Sequence, residues 1–83
     1  MRVSEFSAVS DPDAIVEYNI FNIDGDLIDN FVYDKMNEYG TMKNGYLKVC
    51  YYAGCRVLSI LPDGKKKLTV FAVDEYRENP FWD

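Results

Sequence analysis

The chain has 83 residues, a length that suits one domain with a modest core; 48% of it is hydrophobic and 16% aromatic, which excludes a disordered chain and a large buried catalytic cavity. Its 14 acidic side chains outnumber nine basic ones for a net charge of −5, and it has no histidine, the side chain most often used for acid/base work near neutral pH. It has no apolar run of about 20 residues to span a membrane and no succession of basic, apolar and small residues to act as a secretory signal, so the expected location is the cytoplasm.

Residues 1–10 place Val3, Phe6 and Val9 at helical spacing, in a short serine-rich stretch that suits a helical turn or an edge strand. Asp11-Pro12-Asp13 punctuates the chain, because proline fixes its own φ and turns the residue before it away from helix. From Ala14 to Ile23 the alternation of Val16, Tyr18 and Ile20 with Glu17 and Asn19 predicts a strand, and Phe21 and Ile23 imply some cover on its second face. Asp24-Gly25-Asp26 then opens two readings. A helix over 26–39 gathers Leu27, Ile28, Phe31, Val32, Met36 and Tyr39 on one stripe, with Asp26 as N-cap and Gly40 as stop. A hairpin instead sets Tyr18 opposite Phe31 and Val16 opposite Tyr33. The helix is the leading expectation, although its aspartates, asparagines and β-branched residues are mediocre helix formers.

Residues 41–45 read as a loop. Tyr46–Tyr52, Cys55–Leu61 and Lys67–Val73 follow as three antiparallel strands joined by Ala53-Gly54 and by a three-residue Pro62-Asp63-Gly64 turn. That register sets Leu47 opposite Ile60, Val49 opposite Leu58 and Leu58 opposite Leu68, keeping apolar partners on one face. The expected fold is therefore α+β: an antiparallel sheet of about four strands, including a C-terminal three-stranded meander, with one short helix. An all-β fold is the alternative. A single small domain spans 1–83, with 74–83 as an acidic aromatic tail beyond Asn79-Pro80. Cys50 and Cys55 fall on neighbouring strands in diagonal positions and read as free thiols, since two cysteines without histidine complete no usual zinc site.

The charge is unevenly spread. Residues 1–40 carry nine acids against two bases, residues 41–73 six bases against one acid, and the last ten residues four acids against one base. Such asymmetry bears on partners more than on fold. Lys65-Lys66-Lys67 at a hairpin tip suits phosphate contact, but equally suits lysines that keep strand edges from pairing.

Ile20–Asn30, IFNIDGDLIDN, resembles the first motif of the haloacid dehalogenase superfamily, a strand ending in D-x-D-G-T-[LV]. The resemblance implies a Rossmann-like fold and a magnesium-dependent phosphohydrolase working through Asp24 and Asp26. It covers about a dozen residues, and Asn22 stands at the nucleophile position and Asp26 at that of the threonine. An amide does not attack phosphorus as a carboxylate does, so the chance meeting of a strand and an Asp-Gly turn is the better reading. Asn22, Asp24 and Asp26 also open like an EF-hand loop, but Leu27 and Tyr33 occupy the places of its glycine and glutamate. No catalytic residue, metal centre or cofactor is assigned.

The functional expectation is a non-enzymatic inhibitor that binds a basic protein, a nuclease or another nucleic-acid-binding enzyme, through an acidic surface that mimics nucleic acid. The profile is similar in type to small phage-encoded anti-CRISPR and anti-restriction proteins. Its contact residues are Asp26, Asp29, Tyr33, Asp34 and Glu38 along the predicted helix, with Tyr76, Phe81 and Trp82 of the tail as aromatic anchors. Alternatives are an immunity protein against a nuclease toxin, the minimal phosphohydrolase, and a weak nucleic-acid binder using the lysine hairpin.

Overall fold

The computed structural model describes residues 1–36, 44–64 and 66–75. The element order is α1 (Val3–Val9), β1 (Ile15–Phe21), β2 (Leu27–Asp34), α2 (Asn44–Tyr51), β3 (Arg56–Pro62) and β4 (Lys67–Val73). The four strands form one mixed sheet in the order β2-β1-β4-β3. Two antiparallel hairpins, β1–β2 and β3–β4, are thus sewn together by a parallel contact between β1 and β4. The fold is α+β, with two helices where one was expected and with one parallel pair in a mostly antiparallel sheet.

The hairpin reading of residues 26–34 is the correct one, and the helix over 26–39 is overturned. Tyr18 pairs with Phe31 and Val16 with Tyr33. Local chemistry decides the matter at the turn. Asn22 and Gly25 close a β-turn (Gly25 N to Asn22 O, 3.0 Å), with Gly25 in the left-handed region at φ 88°, where a side chain would be strained. The β-branched and aromatic residues Ile28, Phe31, Val32 and Tyr33 then fit a pleated surface better than a helix.

The three-stranded meander is also corrected. Residues 46–52 fall in α2 and the turn after it, leaving β3–β4 as the only hairpin of that stretch. The alternation of Leu47, Val49 and Tyr51 is real, but so is a helical spacing through Gly45, Val49 and Tyr52, and these three are the buried ones. Leu47 and Tyr51 are half or more exposed. Helix wins because Phe31 and Tyr18 need a cover layer that another strand at the sheet edge would not supply. The β3–β4 register moves as well: Leu68 lies opposite Pro62 and Val70 opposite Ile60, with a bulge near Leu58. The connection is longer than a Pro-Asp-Gly turn, since Asp63 N bonds to Lys67 O (2.8 Å) and both Gly64 (φ 91°) and Lys66 (φ 59°) are left-handed. Lys66 is held in that conformation from two sides. Its carbonyl accepts from Ile15 N (2.7 Å), and its ammonium pairs with Asp13, at the point where β1 and β4 begin to run together.

Both helices pack on one face of the sheet. Val3 and Phe6 of α1, with Val49 of α2 and the following Tyr52, bury against Val16, Tyr18, Ile20, Phe31, Val70 and Ala72. The aromatic rings form a column across four parts of the chain. Phe6 meets Tyr18 edge-on (6.4 Å), Tyr18 stacks on Phe31 (5.0 Å), and Phe31 stacks on Tyr52 (5.9 Å). α1 is fixed at both ends: Glu5 accepts the Arg2 amide (2.6 Å), and Lys35 Nζ donates to the Ser7 and Ser10 carbonyls (2.7 and 3.3 Å) at the negative C-terminal end. Arg2 also bridges to Arg56 and covers the start of the β3 edge. Cys50 is exposed on α2 and Cys55 is buried just before β3, rather than on paired strands, and the two are not joined in a disulfide. Among the described residues no helix is long and apolar enough to cross a membrane.

Tyr18 is fully buried, and its hydroxyl has no hydrogen-bond partner of good geometry among the described residues; the Ser7 hydroxyl lies near enough only to temper the effect of burial. Burial pushes the phenol up to about 12. The folded state therefore keeps this proton after the unfolded chain, titrating at the ordinary tyrosine value of 10.0, has released it. The resulting stability is complete below pH 10 and is lost as pH rises through about 12. Tyr18→Phe should leave stability at pH 7 unchanged or raise it by up to ~1 kcal/mol, and should remove part of the alkaline loss. Urea unfolding at neutral and alkaline pH tests this; a loss greater than about 1 kcal/mol at pH 7 would reveal a hydroxyl partner.

Candidate functional site

The acidic residues fall into two groups, and the difference comes from what each carboxylate can reach. Asp29 sits on β2 opposite Ile20, facing α2. Its Oδ1 accepts from Lys48 Nζ (3.0 Å) and from Asn30 N (2.8 Å), and its Oδ2 accepts from the Tyr52 hydroxyl (2.8 Å). Lys48 also lies over the Phe31 ring, 5.7 Å from its centre. Asp29 is therefore a tie between β2 and α2, and its charge is spent inside the molecule. Tyr33, on the same face, packs against Tyr46 of α2 (6.3 Å).

The second group lies on and around the β1–β2 turn. Asp24 and Asp26 are exposed at its tip, while the buried Asn22 holds the turn from below. Asn22 Oδ1 accepts from Asp24 N (3.0 Å) and Asp26 N (2.9 Å), and Asn22 N donates to Asp26 O (2.9 Å). The side-chain amide at this position thus serves the backbone, which is what an Asx turn requires. The likeness to a phosphohydrolase motif ends here, because the Asp-Gly-Asp segment is the tip of a β-hairpin and not the end of a strand in a parallel Rossmann-like sheet. Among the described residues no cluster of three or more cysteines and carboxylates is placed to hold a metal ion.

Farther along the hairpin, on the face away from the helices, Asn30 Nδ2 donates to Glu17 Oε2 (2.9 Å) and Asn19 Oδ1 (2.8 Å). This polar ladder fixes Glu17 on the open face of the sheet. Asp34, at the far end of β2, is partly exposed. Glu38, Tyr76, Phe81 and Trp82, together with Lys65, lie outside the described residues. Of the expected contact residues, then, Asp26 and Asp34 lie on one hairpin, Asp29 and Tyr33 face α2, and the exposed helical stripe does not exist. Glu17 and Asp24, which are not among the expected contact residues, lie on the same hairpin as Asp26. The hairpin register, once chosen, would have placed Glu17 beside Asn30.

The basic residues complete the picture. Arg2 and Arg56 both engage Glu75 (3.3 and 3.1 Å), Lys48 engages Asp29, Lys66 engages Asp13, and Lys67 lies near Asp63 (3.6 Å). Arg56, with help from Arg2, holds the Glu75 carboxyl below its usual range, and Lys66 does the same to Asp13. With Lys35 on α1, every described base has an internal partner. Among the described residues, no base pairs with Glu17, Asp24 or Asp26. Exposed pairs of this sort add little stability, about 0–1 kcal/mol each, but they cancel positive charge elsewhere and leave the hairpin negative.

The two groups of acids should separate on mutation. Asp29→Ala removes hydrogen bonds to a charged group and should cost about 1.5–3 kcal/mol. Asp26→Ala at the exposed tip should stay within about 0.5 kcal/mol of wild type. Equilibrium urea unfolding of both variants checks this, and equal losses would contradict the assignment. No protein-family model matches the chain, and neither a curated protein nor a solved structure shows significant similarity to it.

Proposed function

We propose that the protein is a non-enzymatic binding module whose acidic β1–β2 hairpin occupies the basic groove of a nucleic-acid-binding enzyme and so inhibits it, in the manner of an anti-CRISPR or anti-restriction protein. One observation carries the reading. The described bases are all engaged within the molecule, whereas Asp24, Asp26 and Glu17 are left without a basic partner among them. A partner's lysines and arginines would find unspent carboxylates there.

Two further features favour it. The hairpin tip is pre-organised by Asn22, so little ordering would be lost on binding. Lys66 and Lys67 are occupied by Asp13 and Asp63, which weakens the reading of the lysine hairpin as a phosphate-binding site.

The test is competition. Fluorescently labelled DNA bound to an RNA-guided nuclease or to a restriction endonuclease should be displaced by this protein, with affinity falling steeply between about 50 and 200 mM salt. Asp24→Lys combined with Asp26→Lys should weaken displacement at least about tenfold, or ~1.4 kcal/mol, without altering the unfolding midpoint. Binding that ignores both salt and this charge reversal would overturn the proposal.

A further inference from the structure

The face of the sheet opposite the helices is apolar at one end. β4 lies between β1 and β3, and where β1 and β4 finish together Phe21 stacks on Phe71 (6.2 Å). Beside this pair opens a cleft of about 480 Å³, lined by Phe21 and Ile23 of the β1–β2 hairpin, Phe71 and Val73 of β4, and Leu58 of β3. Ile23 and Leu58 are 55% and 51% exposed. An apolar concavity of this size suits an aromatic anchor.

The cleft shares a wall with the acidic tip of the hairpin. Ile23 and Gly25 line it, and Asp24 and Asp26 are interleaved with them along the chain. Glu17 stands on the same open face, held there by the Asn30 amide (2.9 Å). Arg56, at the opposite border, is neutralised by Glu75 (3.1 Å). Among the described residues, the unbalanced charge around the cleft is therefore negative.

We propose that the cleft and the acidic tip form one site, whose occupant is an aromatic side chain flanked by lysine or arginine in the partner's groove. This rests on the reading of the hairpin as the inhibitory surface, and it names what that surface recognises. Grooves that bind single strands combine basic side chains that track the phosphates with aromatic side chains on which the bases stack. The hairpin offers a counterpart to each: carboxylates for the bases of the groove, and the Phe21–Phe71 pair, in its apolar cleft, for the stacking ring. A groove built for duplex backbone meets phosphates alone and would leave the cleft empty, so the site selects a partner that binds single strands. A second copy of this chain fits less well, because it sets one acidic tip against another.

The test uses the acetylated and amidated peptide Lys-Arg-Phe-Arg-Lys, titrated into the isotope-labelled protein at about 50 mM salt and followed by amide shifts in two-dimensional NMR. Binding should saturate, with the largest shifts at Ile23, Gly25, Leu58 and Phe71. Alanine in place of the peptide's phenylalanine should weaken it at least about tenfold. Leu58→Gln, and separately Ile23→Gln, should each weaken it at least about fourfold, the equivalent of one buried methylene, with shift dispersion elsewhere unchanged. Leu47→Gln, on the exposed side of α2, should bind as wild type does, and Asp24→Lys with Asp26→Lys should bind at least about tenfold more weakly. Equal affinity for the phenylalanine and alanine peptides, or indifference to both cleft substitutions, overturns the cleft as a site while leaving the acidic hairpin as the inhibitory surface. Binding that survives the charge reversal overturns the basic occupant and the hairpin reading together, as does the absence of binding by either peptide. Shifts at the cleft that grow with protein concentration in the absence of peptide overturn the proposal in favour of a second copy.

Discussion

The aromatic column from Phe6 through Tyr18 and Phe31 to Tyr52 is the contact on which the rest of the molecule depends. Each ring comes from a different part of the chain: α1, β1, β2 and the turn after α2. A domain of this size has few residues with which to close a core, and large flat rings supply more buried area per residue than aliphatic ones. The column also explains the placing of polar groups around it. Tyr52 is held in the stack by its ring and fixed by its hydroxyl on Asp29, so the most buried layer and the β2–α2 tie are parts of one arrangement.

Charge is organised on a different principle. The sequence divides into acidic and basic stretches, and folding brings them together: Lys66 of the basic part onto Asp13, Lys48 onto Asp29, Arg56 onto Glu75. The polarity visible along the chain is therefore largely dissipated in space. What survives is local, at the β1–β2 hairpin, where strand geometry turns Asp24, Asp26 and Glu17 away from the bases. An electrostatic surface read from a linear count of charges would have been placed too broadly and, at Asp29, on the wrong side of the sheet.

How much of this was legible depends on the range of the interactions. β1 and β4 were readable within two residues of their ends, because alternation is a local signal and Val16, Tyr18 and Ile20 obey it cleanly. The β1–β2 pairing was readable as an alternative, since a turn glycine and two aromatic partners lie within 15 residues of one another. Residues 46–52 were not, because their pattern satisfies periods of two and of three to four alike, and only the need to cover Phe31 decides between them. The parallel β1–β4 contact joins residues about 50 apart and leaves no mark on either strand. Asp29 shares that difficulty, as its partners Lys48 and Tyr52 are 19 and 23 positions away. Asn22 stands where the phosphohydrolase-like motif has its nucleophile, yet it is the keystone of a turn, a role plain from the two backbone amides its side chain accepts and not from its neighbours in sequence.

The Glu75 clamp has a topological consequence. With Arg2 and Arg56 sharing one carboxylate, the side chains of the second residue and of the last described one are 3.3 Å apart. The start of α1, the start of β3 and the residues just after β4 are thus pinned at one corner of the sheet by a single carboxylate, so loss of the Glu75 side chain would free all three together.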